Sequence, residues 1–355
     1  MIKYLLIPLI PILFLSVGIE AQTLDFNNNI IYATIPEGIA LKECDCGYGL
    51  YATKSFKAGE VIYKYRHAII GTEEKNYILK TDHHDFTLST SIHSVGIGNN
   101  KRALYTFDSF MNHSCDPNSR SYNEAEMIKH CEYWQIATKN INCGDEITCD
   151  YNLFDYDCSD KNIYDCCCRT EACRKSIKGF KWLPISEQIG LLPTVDFYIF
   201  NQFLQDHPLF IYIEDMKIPS TISIIKNGED AKIVSNCAHK QGDVIYKNHT
   251  LSFNDHQAII INLNGECLLM DNTRHTVKRS DSEREFYYFD SFMNHSCNPN
   301  TISFYVSPNY YQGIALRPIA AGEELTCDYG VFDTSPDGEG FKCECGAKNC
   351  RGWVY

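Results

Sequence analysis

Phe107-Asp-Ser-Phe-Met-Asn-His-Ser-Cys-Asp-Pro-Asn118 returns as Phe289-Asp-Ser-Phe-Met-Asn-His-Ser-Cys-Asn-Pro-Asn300, with Asp116 against Asn298 as the single difference. Each copy is followed by an acidic turn and a Cys-Asp-Tyr triplet: Gly144-Asp-Glu-Ile-Thr-Cys-Asp-Tyr151, then Gly322-Glu-Glu-Leu-Thr-Cys-Asp-Tyr329. Each series closes on a cysteine cluster, Cys166-x-Cys168-x4-Cys173 and Cys343-x-Cys345-x4-Cys350. An ordered series met twice in one chain is a duplicated domain. The length of 355 residues suits about two compact domains. Upstream, the turn Gly47-Tyr48-Gly49 leads into Lys57-Ala-Gly-Glu-Val-Ile-Tyr63. The second half repeats the latter as Lys240-Gln-Gly-Asp-Val-Ile-Tyr246 but lacks the glycine pair, because Asp230 and Lys232 align with Gly47 and Gly49.

A hydrophobic content of 44% gives each half enough to bury a core. The net charge of -13 argues against direct nucleic-acid binding, which needs a basic footprint. An acidic surface steers cationic partners instead, so a basic peptide is the expected class of substrate; the same charge also serves solubility. Short apolar runs broken by Gly and Cys predict strands and turns over Asn29 to Thr53. Apolar spacing at three and four predicts a helical connector over Ser186 to Asp206, with the chain dividing near residue 185. Both halves are therefore expected to be β-rich, with few helices.

The cysteine clusters carry chemistry of their own. Each places three thiolates on a short loop, whereas tetrahedral zinc needs four ligands. Disulfides are the competing reading, but a one-residue spacing bridges poorly. Cys167 is a spare thiol between two ligands.

In its order and duplication, the series resembles SET-domain protein lysine methyltransferases with a post-SET segment, over nearly all of the chain after residue 21. The resemblance implies two tandem copies of the SET β-clip fold, each with a pseudo-knot in which the Asp-Tyr strand threads the Asn-His-Ser segment, an exception to unthreaded chains. It implies a first SET domain at 28–155 with its post-SET segment at 162–180, a connector at 181–212, a second SET domain at 213–333 and its post-SET segment at 339–355. The fourth zinc ligand in each copy would be Cys115 or Cys297, completing Cys166, Cys168 and Cys173 or Cys343, Cys345 and Cys350. S-adenosyl-methionine would be held by the main chain of Gly47, Tyr48 and Gly49, glycines allowing close backbone approach. Asn112 and His113, or Asn294 and His295, would pair with its polar groups. Tyr151 and Tyr329 take the place of the active-site tyrosine, which orients a lysine amine for attack on the methyl group. The loss of the glycine pair makes the first copy the active one, with a non-catalytic scaffold that holds peptides or partners as the alternative. Cys149 and Cys327 replace a bulkier aromatic two residues before the tyrosine, which leaves room for more than one methyl group. Asp108-Ser and Asp290-Ser replace an arginine that relatives carry before the Asn-His-Ser motif. Trp353, and Phe180 in the first copy, are candidates to cover the adenine.

Residues 1–21 have the three parts of a secretory signal: Lys3, an apolar stretch from Tyr4 to Val17, and Ile19-Glu-Ala21 before Gln22. Pro8 and Pro11 and its short length set that stretch apart from a comfortable membrane span. A secretory location follows from it, and a nuclear one from the resemblance alone. Asn112, Asn248 and Asn294 open glycosylation sequons; the first and last fall inside the repeated motif, where folding is expected to hide them.

Overall fold

A computed structural model of the chain describes residues 22–25, 28–45, 47–82, 84–98, 101–122, 132–158, 165–214, 216–227, 230–263, 265–332 and 340–354. The expected signal at 1–21 lies outside the described residues. Two compact units divide the chain, Met1–Asp206 and His207–Tyr355, and strands dominate both.

The strand Val61–Gly71 organises the first unit. Alternation sends Tyr63 and Tyr65 into the core and leaves Arg66 exposed. Its 11 residues are long enough to pair with Glu132–Ala137 at one end and Lys101–Tyr105 at the other. The resulting antiparallel sheet runs Ser119–Tyr122, Glu132–Ala137, Val61–Gly71, Lys101–Tyr105, Ser94–Gly98. A register shift at Gln135/Ile136 bends it. A second sheet contains Asn112–His113, Glu146–Cys149, Gly47–Ala52 and Ile39–Cys44, in that order. Its first pair is parallel, Asn112 against Thr148 and His113 against Cys149. That pairing lays the repeated motif along the Cys-Asp-Tyr strand, the contact that threading requires. The third sheet joins Gln22–Asp25, Ile30–Ala33, Asn76–Lys80 and Asp85–Ser89.

The expected connector is helical, as Ile185–Leu191 and Phe197–Asp206, broken by a 3-10 turn that contains Pro193. The division nonetheless falls at Asp206 and not near residue 185. The reason is packing: Phe203 is fully buried with its ring 6.2 Å from that of Phe180, and Asp206 accepts from the Tyr156 hydroxyl at 3.0 Å. Phe180 is thus a core residue of the first unit and is closed to any ligand.

In the second unit, Val244–Asn254 plays the part of Val61–Gly71, within a sheet ordered Val277–Lys278, Glu283–Tyr287, Val244–Asn254, Tyr310–Ala315, Thr301–Ser307. Asn294–His295 again pairs in parallel with Thr326–Cys327. The hairpin Ile222–Asn227/Asp230–Ser235 takes the place of Ile39–Cys44/Gly47–Ala52, with Asp230 and Lys232 at the positions of the two glycines. It lies along the Cys-Asp-Tyr strand as its counterpart does, bridged at Val234 and Glu324, with Ser235 N–H donating to Glu323 O and Leu325 N–H to Ile233 O at 2.9 Å each.

One asparagine pins this corner in each unit. Asn118 donates to the Glu146 carbonyl at 2.8 Å and accepts from the Thr148 amide at 2.9 Å. Asn300 repeats this with Glu324 and Thr326 at 2.7 and 2.8 Å. Because Asn300 is buried, Asn300→Ala strands an amide and a carbonyl, and should destabilise the second unit by about 1–3 kcal/mol. A lowered denaturation midpoint for that unit, with the first unit unmoved, checks this.

Candidate active site and cysteine clusters

Tyr151 packs against both the main core and the cysteine cluster of its unit, and Tyr329 does the same in the second. The Tyr151 hydroxyl donates to the Met111 carbonyl at 2.8 Å, and that of Tyr329 to Met293 at 2.6 Å. The main chain of each tyrosine is fixed by the histidine of the repeated motif. Tyr151 N–H donates to His113 Nδ1 at 3.1 Å, and Tyr329 N–H to His295 Nδ1 at 3.2 Å. With Nδ1 accepting, the ring proton is assigned to Nε2. That nitrogen faces the cysteine sulfur, at 3.2 Å from Cys115 Sγ and 3.3 Å from Cys297 Sγ. Burial holds both imidazoles below their ordinary pKa, against the pull of Asp150 and Asp328, which keeps them in this neutral form.

A second link runs through charge. Arg174, directly after Cys173, reaches Asp150 at 2.8 Å and also binds Glu187. Arg351, directly after Cys350, holds Asp328. The backbone amides of the same arginines donate to Cys115 and Cys297 sulfur, each at 3.3 Å. Sequence reasoning missed both arginines and both aspartates. Their recurrence at matched places in the two series was the available signal. Asn152 was missed as well: its Oδ1 accepts from the amides of Lys178 and Gly179 at 3.2 and 3.1 Å, stapling the end of the tyrosine strand to the post-cluster loop.

In the first unit Cys115, Cys166, Cys168 and Cys173 bring their sulfurs within 4.8 Å of one another. Cys115 and Cys166 sulfurs are 3.7 Å apart, as are those of Cys297 and Cys343. A tetrahedron with metal–sulfur bonds of ~2.3 Å has an edge of ~3.8 Å. A disulfide would need ~2.05 Å. The described cysteines are all free thiols. The donor set therefore fits zinc. Burial raises the Cys168 thiol, but hydrogen bonds from Thr170 and Cys115 outweigh it and bring Cys168 down to about 6, so one ligand is poised as thiolate.

In the second unit the close group is His295, Cys297, Cys343 and Cys345 rather than the expected set with Cys350. His295 is poorly suited as a ligand, since Nδ1 accepts from Tyr329 and Nε2 carries the proton. Cys350 sits as Cys173 does, facing a cysteine carbonyl: Cys343 O at 3.6 Å, against Cys166 O at 3.5 Å for Cys173. Its thiol is thus turned into the cluster.

The glycine turn forms a cradle in the first unit. Gly47 has φ of 107° and nothing within 4 Å of a built Cβ, while a Cβ on Gly49 would lie 2.8 Å from Glu146 Oε1 and 3.2 Å from Asn112 Nδ2. Asn112 and Glu146 are themselves paired at 2.7 Å. Tyr48 contributes main chain alone, because its ring turns away to Phe86 and Phe110. In the second unit Lys232 occupies the position of Gly49, with its ammonium 3.8 Å from Glu324, the partner of Asn294. Asn294 is exposed, so folding does not hide that sequon, whereas Asn112 is partly buried. Beside the second site the Phe341 ring lies 6.2 Å from that of His295 and 6.1 Å from that of Tyr329, on the strand that pairs with Trp353–Val354.

The SET domain family model matches residues 47–152 and 198–330, and the chain belongs to the SET-domain family. It is 42% identical over 66 residues to histone-lysine N-methyltransferase ASHR3 of Arabidopsis thaliana, covering 18% of this chain and 13% of that one. Histone-lysine N-methyltransferase mes-4 of Caenorhabditis elegans is 28% identical over 167 residues, or 41% of this chain and 17% of that one. Histone-lysine N-methyltransferase 2D of Homo sapiens matches at 42% over 66 residues, 18% of this chain and 1% of that one. The chain thus spans a small part of the length of these relatives.

Arg174→Ala breaks the charge link while leaving all four cysteines in place. It should make the first cluster surrender its metal to a chelator faster than the second, read as two-phase release with a zinc-sensitive dye. Arg351→Ala should reverse the order of the phases.

Proposed function

We propose that the first unit transfers a methyl group from S-adenosyl-methionine to the side-chain nitrogen of a lysine in a basic protein, and that the second unit is a weakened copy with a regulatory or docking role. The observation that carries this reading is the Gly47–Gly49 cradle, replaced in the second unit by Lys232 beside Glu324. The donor, when bound, supplies a methyl group activated by an adjacent sulfonium. Everything else is positioning, the largest expected contribution in a reaction of two held partners. Gly47, Tyr48 and Gly49 would offer main-chain atoms to the donor, and Asn112 and His113 polar ones. Tyr151, fixed at its amide by His113 and at its hydroxyl by Met111, would orient the lysine nitrogen. Cys115, Cys166, Cys168 and Cys173 would hold one zinc ion, and Cys297, Cys343, Cys345 and Cys350 a second.

The basic character of the substrate is supported by the net charge of -13. Histone tails are the first probe, on the strength of the relatives' names. Residues 1–21 support entry into the secretory route, for which the mature protein would begin at Gln22 on N-terminal sequencing. Cys149, small and buried, supports products beyond monomethyl-lysine.

Two substitutions separate the copies. Tyr151→Phe should abolish most methyl transfer to core histones, a loss of about 100-fold or more, whereas Tyr329→Phe should change it little. Calorimetry should find one S-adenosyl-methionine per chain, with the site lost in Gly49→Lys; two sites of equal affinity would overturn the assignment.

A further inference from the structure

The loop that follows the strand Asp230–Ser235 carries a pair of side chains that methyl transfer does not use. Cys237 is exposed and His239 is buried, and His239 Nε2 lies 3.6 Å from Cys237 Sγ, close enough for the thiol to donate to it. The first unit has no such pair, because Lys54 and Phe56 stand at these two places. Phe56 exchanges main-chain hydrogen bonds with Ile141 just as His239 does with Ile319. The backbone is thus shared, and the side-chain chemistry is new to the second unit.

The main chain is held on both sides of the thiol. Before it, Gly322 N–H donates to Ser235 O at 2.7 Å and Asn236 N–H to Thr221 O at 2.8 Å, while Ser235 Oγ donates to the Cys237 carbonyl at 2.7 Å. After it, His239 N–H donates to Ile319 O at 2.9 Å and Ile319 N–H to His239 O at 3.0 Å. An anchored loop therefore presents an accessible sulfur in front of an enclosed imidazole. A nucleophile with a base in hydrogen-bond reach is the arrangement that activates a thiol, whose reactive form is the thiolate. Cys143 is the internal contrast. It is exposed too, but its thiol donates to the Thr53 carbonyl at 3.1 Å, a group that does not take up the proton.

We propose that Cys237 and His239 form a thiol–imidazole pair that captures low-molecular-weight disulfides, which gives the second unit a covalent modification site. The S–H bond of Cys237 breaks and its proton passes to His239 Nε2. The sulfur then attacks one sulfur of the disulfide; a new S–S bond forms as the old one breaks, and the departing thiolate takes the proton from the ring. Cys237 is oxidised, the disulfide is reduced to one free thiol, and no further reactant is needed. The inference stands apart from the methyl-transfer reading.

The test incubates the full, zinc-loaded chain with oxidised glutathione near neutral pH and follows each adduct by peptide mass mapping. A free thiol is only a few per cent ionised there, so Cys237 should be modified ~10-fold or more faster than Cys143. His239→Phe installs the residue that the first unit carries at this place, and should bring Cys237 down to the rate of Cys143 with the thermal midpoint little changed. His239→Gln, polar but without a base, should do the same and serves if the first variant does not fold. In the wild-type chain unfolded by urea, the two thiols should react alike. Cys237 reacting no faster than Cys143 in the folded chain overturns the inference, as does a preference that survives either folded variant or urea.

Discussion

A single imidazole in each unit is the constraint on which the site depends. His113 accepts the amide proton of Tyr151 on one nitrogen and presents the other to Cys115 sulfur, and His295 does the same between Tyr329 and Cys297. A histidine so bonded has one tautomer and one ring orientation. The tyrosine that ends the Cys-Asp-Tyr strand and the cysteine of the repeated motif are therefore held by the same ring. Arg174 and Arg351 close the circuit, joining the residue after the last cysteine to the aspartate before the tyrosine. A zinc ion in such a cluster would supply folding energy, and under the proposed function that energy would bear on the position of the tyrosine.

The two units share that circuit and differ at the glycine hairpin. In the first, the glycine hairpin pairs with the Cys-Asp-Tyr strand, and Gly49 lets Glu146 Oε1 and Asn112 Nδ2 pack 2.8 and 3.2 Å from where a Cβ would lie. In the second, the hairpin keeps main-chain hydrogen bonds to that strand, and Lys232, at the position of Gly49, sets its ammonium 3.8 Å from Glu324. Duplication preserved the clamp and let the pocket diverge. The same divergence reaches the interior, where Gln135 of the first unit corresponds to Gly313, over which the Tyr246 ring lies.

Much of this was legible in the sequence because the repeat supplied its own internal comparison. The duplicated motif, the cysteine spacing and the missing glycines pointed to the fold class, the clusters and the place where the copies diverge without coordinates. The pairing of His113 with Tyr151 was not legible, since a parallel contact across 38 residues leaves no periodic trace. Nor was the place of the second helix of the connector: Ile199 and Phe203 declare an apolar face, but not which unit buries it. Phe180 misled for a related reason, because an aromatic after a cysteine cluster looks alike whether it packs in a core or covers a ligand. Asp108 stood out as a departure, and the hydroxyls of Tyr63 and Tyr133 that donate to it were not legible.

Amide hydrogen exchange at Tyr151, with and without a chelator under reducing conditions, tests the central claim most directly. The account predicts that removing the metal strips protection from the Tyr151 amide while the amides of Val61–Gly71 stay protected. Protection at Tyr151 that is indifferent to the metal would contradict it.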